Sequence, residues 1–251
     1  MITYRRTAIH CQLQKYIYII FGCDPHGKDG LDRKVWNAFV QHNKEVQPDV
    51  IIMGGDLVDF WEISKFNKVP KSRETIFEDI EFAHGLLKEL RDACPKARII
   101  YTFGNHCDRL RQYVLENAPL FHGYEKVTLK YMLKLDELGV ESIEPKESSV
   151  NWNGCSIVLD GVRMGHLKKV SKHSAATVKG LMDDRCISVV QGHVHRLGLF
   201  CRTLDDGKVI WGVEAGCLCR LDPEYMDHAN WQQGWVDVID GRPFIYPYIN
   251  I

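Results

Sequence analysis

The sequence predicts an α/β fold, and three observations support this prediction. Short runs of β-branched and aromatic residues end in polar turns that contain glycine, which is typical of strands buried on both faces. Segments with an apolar residue at every third or fourth position lie between several of these runs, as in amphipathic helices. Toward the C-terminus the helical patterns stop, and strand patterns follow one another across short turns.

In the first three quarters of the chain, we expect a strand at each short apolar run that is followed by a polar cluster. They cover residues 16–21, 50–53, 99–103, 156–164 and 187–190. Strands that alternate with helices are usually parallel, so we expect substantial parallel pairing in the first half of the chain.

Helices are expected between these strands, over residues 31–46, 72–93 and 174–184. The second helix repeats apolar residues close to a 3.6-residue period. Ser72 is its expected N-cap, and Pro95 lies just beyond its expected end.

Four further strands are expected near the C-terminus. They cover residues 197–203, 208–214, 234–239 and 243–249. Short turns that contain Asp and Gly, such as those at residues 205–207 and 240–241, are typical of hairpins. The pattern therefore predicts an antiparallel second sheet.

The composition excludes several classes of protein. The chain has 251 residues, of which 45% are hydrophobic and 26% charged, as in ordinary soluble globular proteins rather than disordered, collagen-like or coiled-coil ones. The formal net charge is -1, so attraction to a polyanion would have to come from a local patch. No repeat or linker divides the chain, which predicts a single domain over residues 1–251.

Apolar runs and cysteines predict the cellular setting. No run approaches the roughly 18 consecutive apolar residues of a membrane-spanning helix, so no membrane association is expected. The nine cysteines are an odd number without a Cys-x-x-Cys pair, which favours reduced thiols in a cytoplasmic protein. Cys217 and Cys219 could bind a metal ion, but we expect such a lone pair to be buried by packing.

Polar side chains follow the predicted strands at the edge where open α/β sheets bind ligands. They are Asp24, His26, Asp56, Asp59, Asn105, His106, His166, His193 and His195. A single histidine at a strand end is usually a hydrogen-bonded structural residue. Carboxylates, an amide oxygen and several imidazoles together favour a metal site with oxygen and nitrogen ligands.

Seven of these residues are expected to be metal ligands, which is too many for one ion. One first-row ion takes about four to six ligands, and some positions must stay open for water and substrate. Two divalent ions that share one carboxylate would use all seven. The seven are Asp24, His26, Asp56, Asn105, His166, His193 and His195. Such a pair of ions assists displacement at phosphorus.

Five short motifs occur in order between residues 24 and 195. They are Asp24-x-His26, Gly55-Asp56-x-x-Asp59, Gly104-Asn105-His106, Gly165-His166 and Gly192-His193-x-His195. This series resembles the ordered motifs of the calcineurin-like metallophosphoesterases, over about two thirds of the chain. The resemblance implies a four-layer α/β-β/α sandwich of two mixed sheets flanked by helices.

The resemblance also implies a role for each matched residue. The ligands of one ion would be Asp24, His26, Asp56 and His195. The ligands of the other would be Asp56, Asn105, His166 and His193, so that Asp56 bridges. His106 would contact the phosphoryl group or leaving oxygen and is the candidate general acid. The ions are expected to be Mn²⁺, with Fe, Zn and Ni as alternatives.

The residue after the third motif departs from the usual pattern. An acidic residue usually stands there and orients the preceding histidine, whereas this chain has Cys107, with Asp108 one residue later. A thiol is a poor partner for a protonated imidazole. We therefore expect Asp108 to orient His106, or the leaving group to need less acid assistance. The chain also continues from Asp59 with Phe60, unlike the Ser/Thr phosphoprotein phosphatases.

Basic residues are concentrated in segments next to the predicted site. The basic residues of segments 60–73 and 163–173 are Lys65, Lys68, Lys71, Arg73, Arg163, Lys168, Lys169 and Lys172. The first segment also holds aromatic residues, and basic side chains interleaved with aromatics can follow a phosphate backbone and stack bases. Packed aromatics and solvated lysines explain the pattern equally well. The expected substrate contacts are Trp61, Arg109, Lys168, Lys169 and Lys172.

The sequence thus predicts a metal-dependent phosphoesterase that hydrolyses phosphate esters with metal-activated hydroxide. The leading interpretation is a phosphodiesterase or nuclease acting on DNA, RNA or nucleotides, and residues 104–109 are similar to phage-encoded metallophosphoesterases, some of which act on DNA. A small-molecule phosphomonoesterase or cyclic-nucleotide phosphodiesterase is the alternative. A non-catalytic scaffold is disfavoured because all seven ligands are present.

Overall fold

The structure is a computed structural model that describes residues 17–65, 75–146, 149, 152, 155–223 and 229–249. The strands in this part of the chain are β1 Tyr18–Gly22, β2 Val50–Met53, β3 Arg98–Thr102, β4 Val140–Ile143, β5 Ser156–Leu159, β6 Val162–Gly165, β7 Ser188–Gln191, β8 Leu197–Thr203, β9 Val209–Ala215, β10 Gly234–Ile239 and β11 Arg242–Pro247. The helices are α1 Gly27–Gly30, α2 Arg33–Val46, α3 Ile76–Ala93, α4 Arg109–Asn117, α5 Leu129–Met132 and α6 Ala176–Arg185. Short 3-10 turns cover Trp61–Ile63, Pro119–Phe121 and Glu125–Val127.

The strands form two mixed sheets. The first has the order β11-β10-β1-β2-β3-β4, in which β1 to β4 are parallel and β10 and β11 are antiparallel to their neighbours. The second has the order β5-β6-β7-β9-β8, with a parallel centre and antiparallel edge strands. The polar residues singled out in the sequence follow the parallel strands of both sheets.

Apolar packing arranges these elements in four layers. Between the two sheets, Ile52 and Ile100 of the first share a buried cluster with Val190 and Val213 of the second. A separate core packs α2 and α3 against the outer face of the first sheet. On the outer face of the second sheet, α6 buries Met182 and neighbouring residues. The four-layer α/β-β/α sandwich of two mixed sheets is therefore confirmed.

The assignment of the C-terminal strands to a separate antiparallel sheet was wrong. The β10–β11 hairpin joins the first sheet, where Tyr18 of β1 pairs with Ile239 of β10. In the second sheet β9 runs parallel to β7, with Val190 paired to Val213. A hairpin pattern determines which strands pair with each other, but it does not determine which sheet edge accepts the hairpin.

Two element boundaries also differ from the prediction. Residues 156–164 are not one strand but the β5–β6 hairpin, whose turn residues Asp160 and Gly161 have φ of 49° and 71°. Helix α3 begins at Ile76, where Thr75 and Glu78 form a capping box. The predicted cap, Ser72, lies outside the described residues.

The strands β2 and β7 show why the buried runs were predictable. Every residue of Val50–Met53 and of Ser188–Gln191 is buried, as expected for strands covered on both faces. Among the described residues, no helix is long and apolar enough to cross a membrane.

Candidate metal centre

All seven predicted ligands lie in loops that follow parallel strands. The first sheet contributes Asp24, His26, Asp56 and Asn105, and the second contributes His166, His193 and His195. Backbone hydrogen bonds join the first two loops, because the N–H of His26 donates to the carbonyl oxygen of Asp56 at 2.9 Å. The seven side chains therefore meet at one edge of the sandwich.

Most of these residues have a left-handed backbone. The value of φ lies between 48° and 71° at Asp24, His26, Asp56, His193 and His195. Residues other than glycine seldom adopt this conformation, which costs about 1–2 kcal/mol at each position and is concentrated at functional sites. The strained backbone of these loops therefore serves to position the ligand side chains.

Glycine in the motifs allows the ligands to approach the backbone closely. A Cβ atom at Gly104 would lie 2.3 Å from Asp56 Oδ1 and 2.8 Å from His166 Cδ2. Gly55 has φ of 95°, and a Cβ there would lie 2.5 Å from His166 Nδ1. A larger residue at either position would displace the side chains of the site.

The first ligand group consists of Asp24, His26 and His195. Asp24 Oδ1 lies 3.1 Å from His195 Nε2 and 3.6 Å from His26 Nε2. The two imidazole nitrogens, His26 Nε2 and His195 Nε2, face each other at 3.1 Å. Asp24 also accepts a hydrogen bond through Oδ2 from the backbone N–H of His193, which fixes the carboxylate.

The second ligand group surrounds His166. Its Nε2 lies 3.0 Å from Asp56 Oδ2, from Asn105 Oδ1 and from His193 Nδ1. The other ring nitrogen, Nδ1, lies 3.0 Å from the carbonyl oxygen of Gly54. Because only an N–H can donate there, Nε2 of the neutral ring carries the lone pair and is directed at the group.

The donor atoms of both groups fit divalent metal ions. Imidazole nitrogens that face each other at 3.0–3.1 Å share at most one proton, so their lone pairs converge on the same space. Ligand atoms bonded to one ion at about 2.0–2.2 Å lie about 3 Å apart. Asp56 also lies with His26 and His106 in a third cluster, which places its carboxylate between the two groups.

Three of the ligands, Asp24, Asp56 and His193, are kept in the protonation states that bind metal. Burial alone would raise the pKa of Asp24, but the His195 and His166 rings hold it well below its usual range. Burial is likewise outweighed at Asp56, where His166 makes the largest contribution to a lowered pKa. Burial and the nearby His166 lower the pKa of His193 to about 4. Ionised carboxylates and a neutral imidazole are the metal-binding forms.

His106 lies beside the ligand groups and is oriented by Asp59. Its Nδ1 is 2.6 Å from Asp59 Oδ1, and its Nε2 is 3.9 Å from Asp56 Oδ2. Arg109 packs against the same ring, with Nη2 3.3 Å from His106 Nε2 and Nη1 donating to the Asp59 carbonyl oxygen at 2.6 Å. Burial would raise the pKa of Asp59, but its hydrogen bonds to the neighbouring histidines lower it strongly.

The expectation that Asp108 orients His106 was wrong. Its carboxylate binds Arg111, with Oδ1 2.6 Å from Nε. Cys107 is buried, and its Sγ lies 2.8 Å from the Tyr101 hydroxyl. The turn that leads into α4 directs both side chains away from His106, and Asp59 takes the place that the sequence pattern assigns to an acidic residue after the histidine.

Asp79 on α3 supports the loop that carries Asp59. The Asp79 side chain is 1% exposed, and Oδ2 accepts hydrogen bonds from the N–H groups of Asp59 and Phe60, both at 2.8 Å. Its Oδ1 has no hydrogen-bond partner among the described residues. Burial raises the pKa of Asp79 to about 6, although the two backbone N–H groups oppose the shift.

This raised pKa predicts a pH dependence of stability. Folding favours protonated Asp79, because its pKa rises from 3.8 to about 6 in the folded protein. That contribution is complete below pH 4, is lost as the pH rises through 6, and amounts to about 3 kcal/mol. Asp79→Asn removes the titration. The free energy of unfolding of the parent minus that of the variant should therefore fall by about 2 kcal/mol from pH 4 to pH 7. Denaturant unfolding at both pH values measures this, and a pH-independent difference would contradict it.

Cys217 and Cys219 lie behind the first ligand group. Both are buried, as expected from packing, and Cys219 Sγ lies 3.8 Å from His195 Nδ1. The two thiols and this ring nitrogen lie within 4.8 Å of one another. The cysteines among the described residues are all free.

The predicted substrate contacts differ in their position relative to His106 and in their exposure. Arg109 touches His106, whereas Trp61 begins the 3-10 turn two residues after Asp59 and is half-buried. Lys168 and Lys172 are exposed in the loop after His166, but Lys169 pairs with Asp184, with Nζ 3.3 Å from Oδ2. The basic residues Lys68, Lys71 and Arg73 and the aromatic Phe66 lie outside the described residues.

Two further aromatic residues border the ligands and were not predicted from the sequence. Trp231 packs against His195, and Trp152 packs against His166 and His193. Neither belongs to one of the five motifs, and no periodic pattern distinguishes them.

Comparison with known proteins agrees with this geometry. A family model described as calcineurin-like phosphoesterase matches residues 19–197. The chain belongs to the calcineurin-like phosphoesterase family. As a member of this family it is a metal-dependent phosphoesterase, and the family implies a centre of two divalent ions and phosphate-ester substrates.

Two phage proteins are similar to this chain in sequence. The Gene 54 protein of Mycobacterium phage L5 is 29% identical over 233 residues, which is 87% of this chain and 89% of the relative. The Gene 54 protein of Mycobacterium phage D29 is 28% identical over 232 residues, with the same coverage. These relatives agree with the similarity to phage-type members noted in the sequence.

Two solved structures of phosphoesterases also match. One is Yfce, a phosphoesterase from E. coli, at 11% identity with a TM-score of 0.38 over 88% of each chain. The other is a dimetal phosphatase from Danio rerio, at 10% identity with a TM-score of 0.44 over 93% of this chain and 99% of that chain.

Proposed function

We propose that the protein is a phosphodiesterase that acts on nucleic acid or nucleotides at a centre of two Mn²⁺ ions. The observation that carries the proposal is the convergence of seven oxygen and nitrogen ligands, from both sheets, next to His106. Membership of the calcineurin-like phosphoesterase family supports the reaction class.

Each ligand group would hold one ion. The residues around the first ion are Asp24, His26, Asp56 and His195. The residues around the second are Asp56, Asn105, His166 and His193. Asp56 is the shared ligand because its carboxylate belongs to clusters with both His26 and His166. When bound, the two ions supply a hydroxide nucleophile near neutral pH and offset the charge on the phosphoryl oxygens.

His106 is the proposed general acid. The hydrogen bond between its Nδ1 and Asp59 fixes the ring, and Nε2, which accepts an N–H of Arg109 in the neutral ring, is the atom that would carry the proton for the departing oxygen. The guanidinium of Arg109, next to the same nitrogen, is placed to offset negative charge on the phosphoryl group. The chain therefore provides a proton donor and a fixed cation beside the ligands.

The loop after His166 supports a polyanionic substrate. It is tied to the strand ends of the second sheet, because Gln191 donates to the carbonyl oxygen of Lys169 at 2.8 Å and Arg196 donates to that of Ser171 at 2.5 Å. Lys168 and Lys172 are exposed on this loop. Two cations held next to the candidate centre can contact phosphates that flank the scissile one.

Replacing Lys168 and Lys172 by Ala should flatten the salt dependence of oligonucleotide binding. Each lost phosphate contact lowers the log–log slope by about 0.7 for a single strand. The double variant should therefore lose about 1.4 from the slope, with hydrolysis of a nitrophenyl diester unchanged. Lys169→Ala is the matched control, since Lys169 already pairs with Asp184 and should change the slope less. Equal salt-dependence slopes for the parent and the double variant would show that Lys168 and Lys172 do not contact phosphates of the substrate.

A small-molecule phosphomonoesterase or cyclic-nucleotide phosphodiesterase is the second candidate. It is favoured by the pairing of Lys169 with Asp184 and of Lys65 with Glu116, which leaves less positive charge for a long polyanion. A substrate panel with Mn²⁺ separates the two candidates. It comprises single- and double-stranded DNA, RNA, cyclic nucleotides, nucleotides and a phosphopeptide. Turnover of oligonucleotides supports the proposal, turnover of small esters alone supports the second candidate, and no turnover would support a scaffold.

A further inference from the structure

A second cluster of metal-binding atoms lies behind the first ligand group. It consists of the thiols of Cys217 and Cys219 and the Nδ1 atom of His195, which lie within 4.8 Å of one another and are all buried. Cys219 Sγ is 3.8 Å from His195 Nδ1. The sequence pattern contains only the two cysteines, whereas the fold adds an imidazole nitrogen as a third ligand atom.

The segment that carries the two thiols is held in place by backbone hydrogen bonds to two other parts of the chain. The N–H of Cys217 donates to the carbonyl oxygen of Gln232 at 3.1 Å, and the N–H of Leu218 donates to that of Cys23 at 3.0 Å. The backbone therefore positions both thiols before any ion binds, which lowers the cost of forming a site.

The spacing of these atoms fits a zinc ion. Bonds from zinc to thiolate sulfur are about 2.3 Å long, and those to imidazole nitrogen are about 2.0–2.1 Å. At tetrahedral to trigonal angles the sulfur and nitrogen then lie about 3.5–3.8 Å apart, which agrees with the observed 3.8 Å. Two thiolates would also neutralise the charge of the ion, so the buried site would carry no net charge.

The ligand atoms favour an ion other than Mn²⁺. Thiolates select thiophilic ions such as Zn²⁺, whereas Mn²⁺ prefers carboxylate and carbonyl oxygens. The hydrogen bond with Cys217 and burial raise the pKa of the Cys219 thiol well above its ordinary value. An ion must displace thiol protons to bind here, which further favours an ion with high affinity for sulfur.

His195 links this cluster to the first ligand group. Its other ring nitrogen, Nε2, lies 3.1 Å from Asp24 Oδ1 and 3.1 Å from His26 Nε2. A neutral imidazole has an N–H at one ring nitrogen and a lone pair at the other. The neutral ring can therefore bind an ion at Nε2 or at Nδ1, but not at both.

We propose that Cys217, Cys219 and His195 Nδ1 bind one Zn²⁺ ion, and that this ion inhibits the enzyme by withdrawing His195 from the first ligand group. Binding releases the two thiol protons to solvent, and the ring proton moves from Nδ1 to Nε2. The inference goes beyond the proposed function, because it concerns a further ion and does not depend on the substrate.

Co²⁺ is the spectroscopic probe for this site, because thiolate ligands give it a charge-transfer absorption that oxygen and nitrogen ligands do not. Protein loaded with Mn²⁺ should show this absorption when Co²⁺ is added. Cys217→Ser and Cys219→Ser should each weaken the binding that produces it by more than about 100-fold, since even outer-shell changes cost up to that factor. Cys94→Ser is the matched control and should keep the absorption, because Cys94 is also buried but contacts the carbonyl oxygen of Asn43.

Inhibition by Zn²⁺ tests the link to His195. Hydrolysis of methyl nitrophenyl phosphate by each Mn²⁺-loaded protein is compared with its own activity before Zn²⁺ is added. The parent and a Cys186→Ser/Cys201→Ser variant, in which two exposed thiols are replaced, should be inhibited equally. Cys217→Ser and Cys219→Ser should each need more than about 100-fold more Zn²⁺ for the same inhibition.

The possible results separate this site from other effects of the metals. Circular dichroism shows whether each variant keeps its fold, and the absorption of the parent needs no variant. An absorption that is absent from the parent, or kept in both Cys217→Ser and Cys219→Ser, would overturn the site. Equal sensitivity of the parent and both variants to Zn²⁺ would overturn the inhibitory role, because Zn²⁺ would then act only by exchange within the centre. A parent that shows the absorption but hydrolyses no ester would support the site and contradict the proposed function.

Discussion

The Asp56→Asn variant should lose both metal ions and all measurable hydrolysis while keeping its fold. The carboxylate lies between the two ligand groups, with Oδ2 3.0 Å from His166 Nε2. An amide has no charge to hold two cations, and changes in outer-shell partners alone already cost 10- to 100-fold in metal affinity. Asn tolerates the left-handed backbone found at this position, where φ is 48°. It can also still accept the N–H of His106, so the loop should persist.

Metal analysis and circular dichroism of the purified variant measure this outcome. Asp108→Asn is the matched control, because Asp108 is also a buried carboxylate but binds Arg111 rather than a ligand. The control should lose stability and keep its metal content. Two ions still bound to the Asp56→Asn variant would contradict the bridging role.

The His106→Asn variant should retain metal and lose activity according to the leaving group. Without a proton donor, kcat should fall by about 10²- to 10⁴-fold for esters of alcohols with high pKa. The loss should be much smaller for nitrophenyl esters, whose departing oxygen needs little protonation. Asp59→Asn should show the same dependence on leaving group with a smaller loss, because Asp59 orients the ring and does not donate the proton itself.

The control for this series is Cys107→Ser. The Cys107 thiol contacts the Tyr101 hydroxyl and Asp56 Oδ1 but not the His106 ring, and Ser can keep both contacts, so the dependence on leaving group should match that of the parent. Equal losses on both kinds of ester in the His106→Asn variant would remove the assignment of His106 as general acid.

The sequence predicted those parts of the fold and site that depend on local pattern. The strand β2 was predicted to the residue because all of Val50–Met53 is buried, so that its apolar run begins and ends with the strand. The positions of Asp56 and Asn105 were predictable because turns at the carboxyl ends of adjacent parallel strands lie side by side.

Features that depend on contacts between distant segments were not predicted. The partner of His106 is set by the direction of the turn into α4, which sends the Asp108 carboxylate to Arg111. The β10–β11 hairpin joins the first sheet because it pairs with the free edge of β1. The sequence of the hairpin alone does not indicate which sheet edge it will join. Trp152 and Trp231 touch the ligands but belong to no motif, so only the folded chain brings them together.

The pairing of β1 with β10 sets the order in which a growing chain can complete its first sheet. Tyr18 is synthesised long before its neighbour in the sheet, Ile239. Until then one side of β1 is an unpaired strand edge, which can recruit strands of other chains. Such distant pairing also slows folding, because the intervening chain must be closed into a loop before the contact forms. A ribosome-bound or C-terminally shortened chain should therefore depend on chaperones to stay soluble until β10 closes that edge.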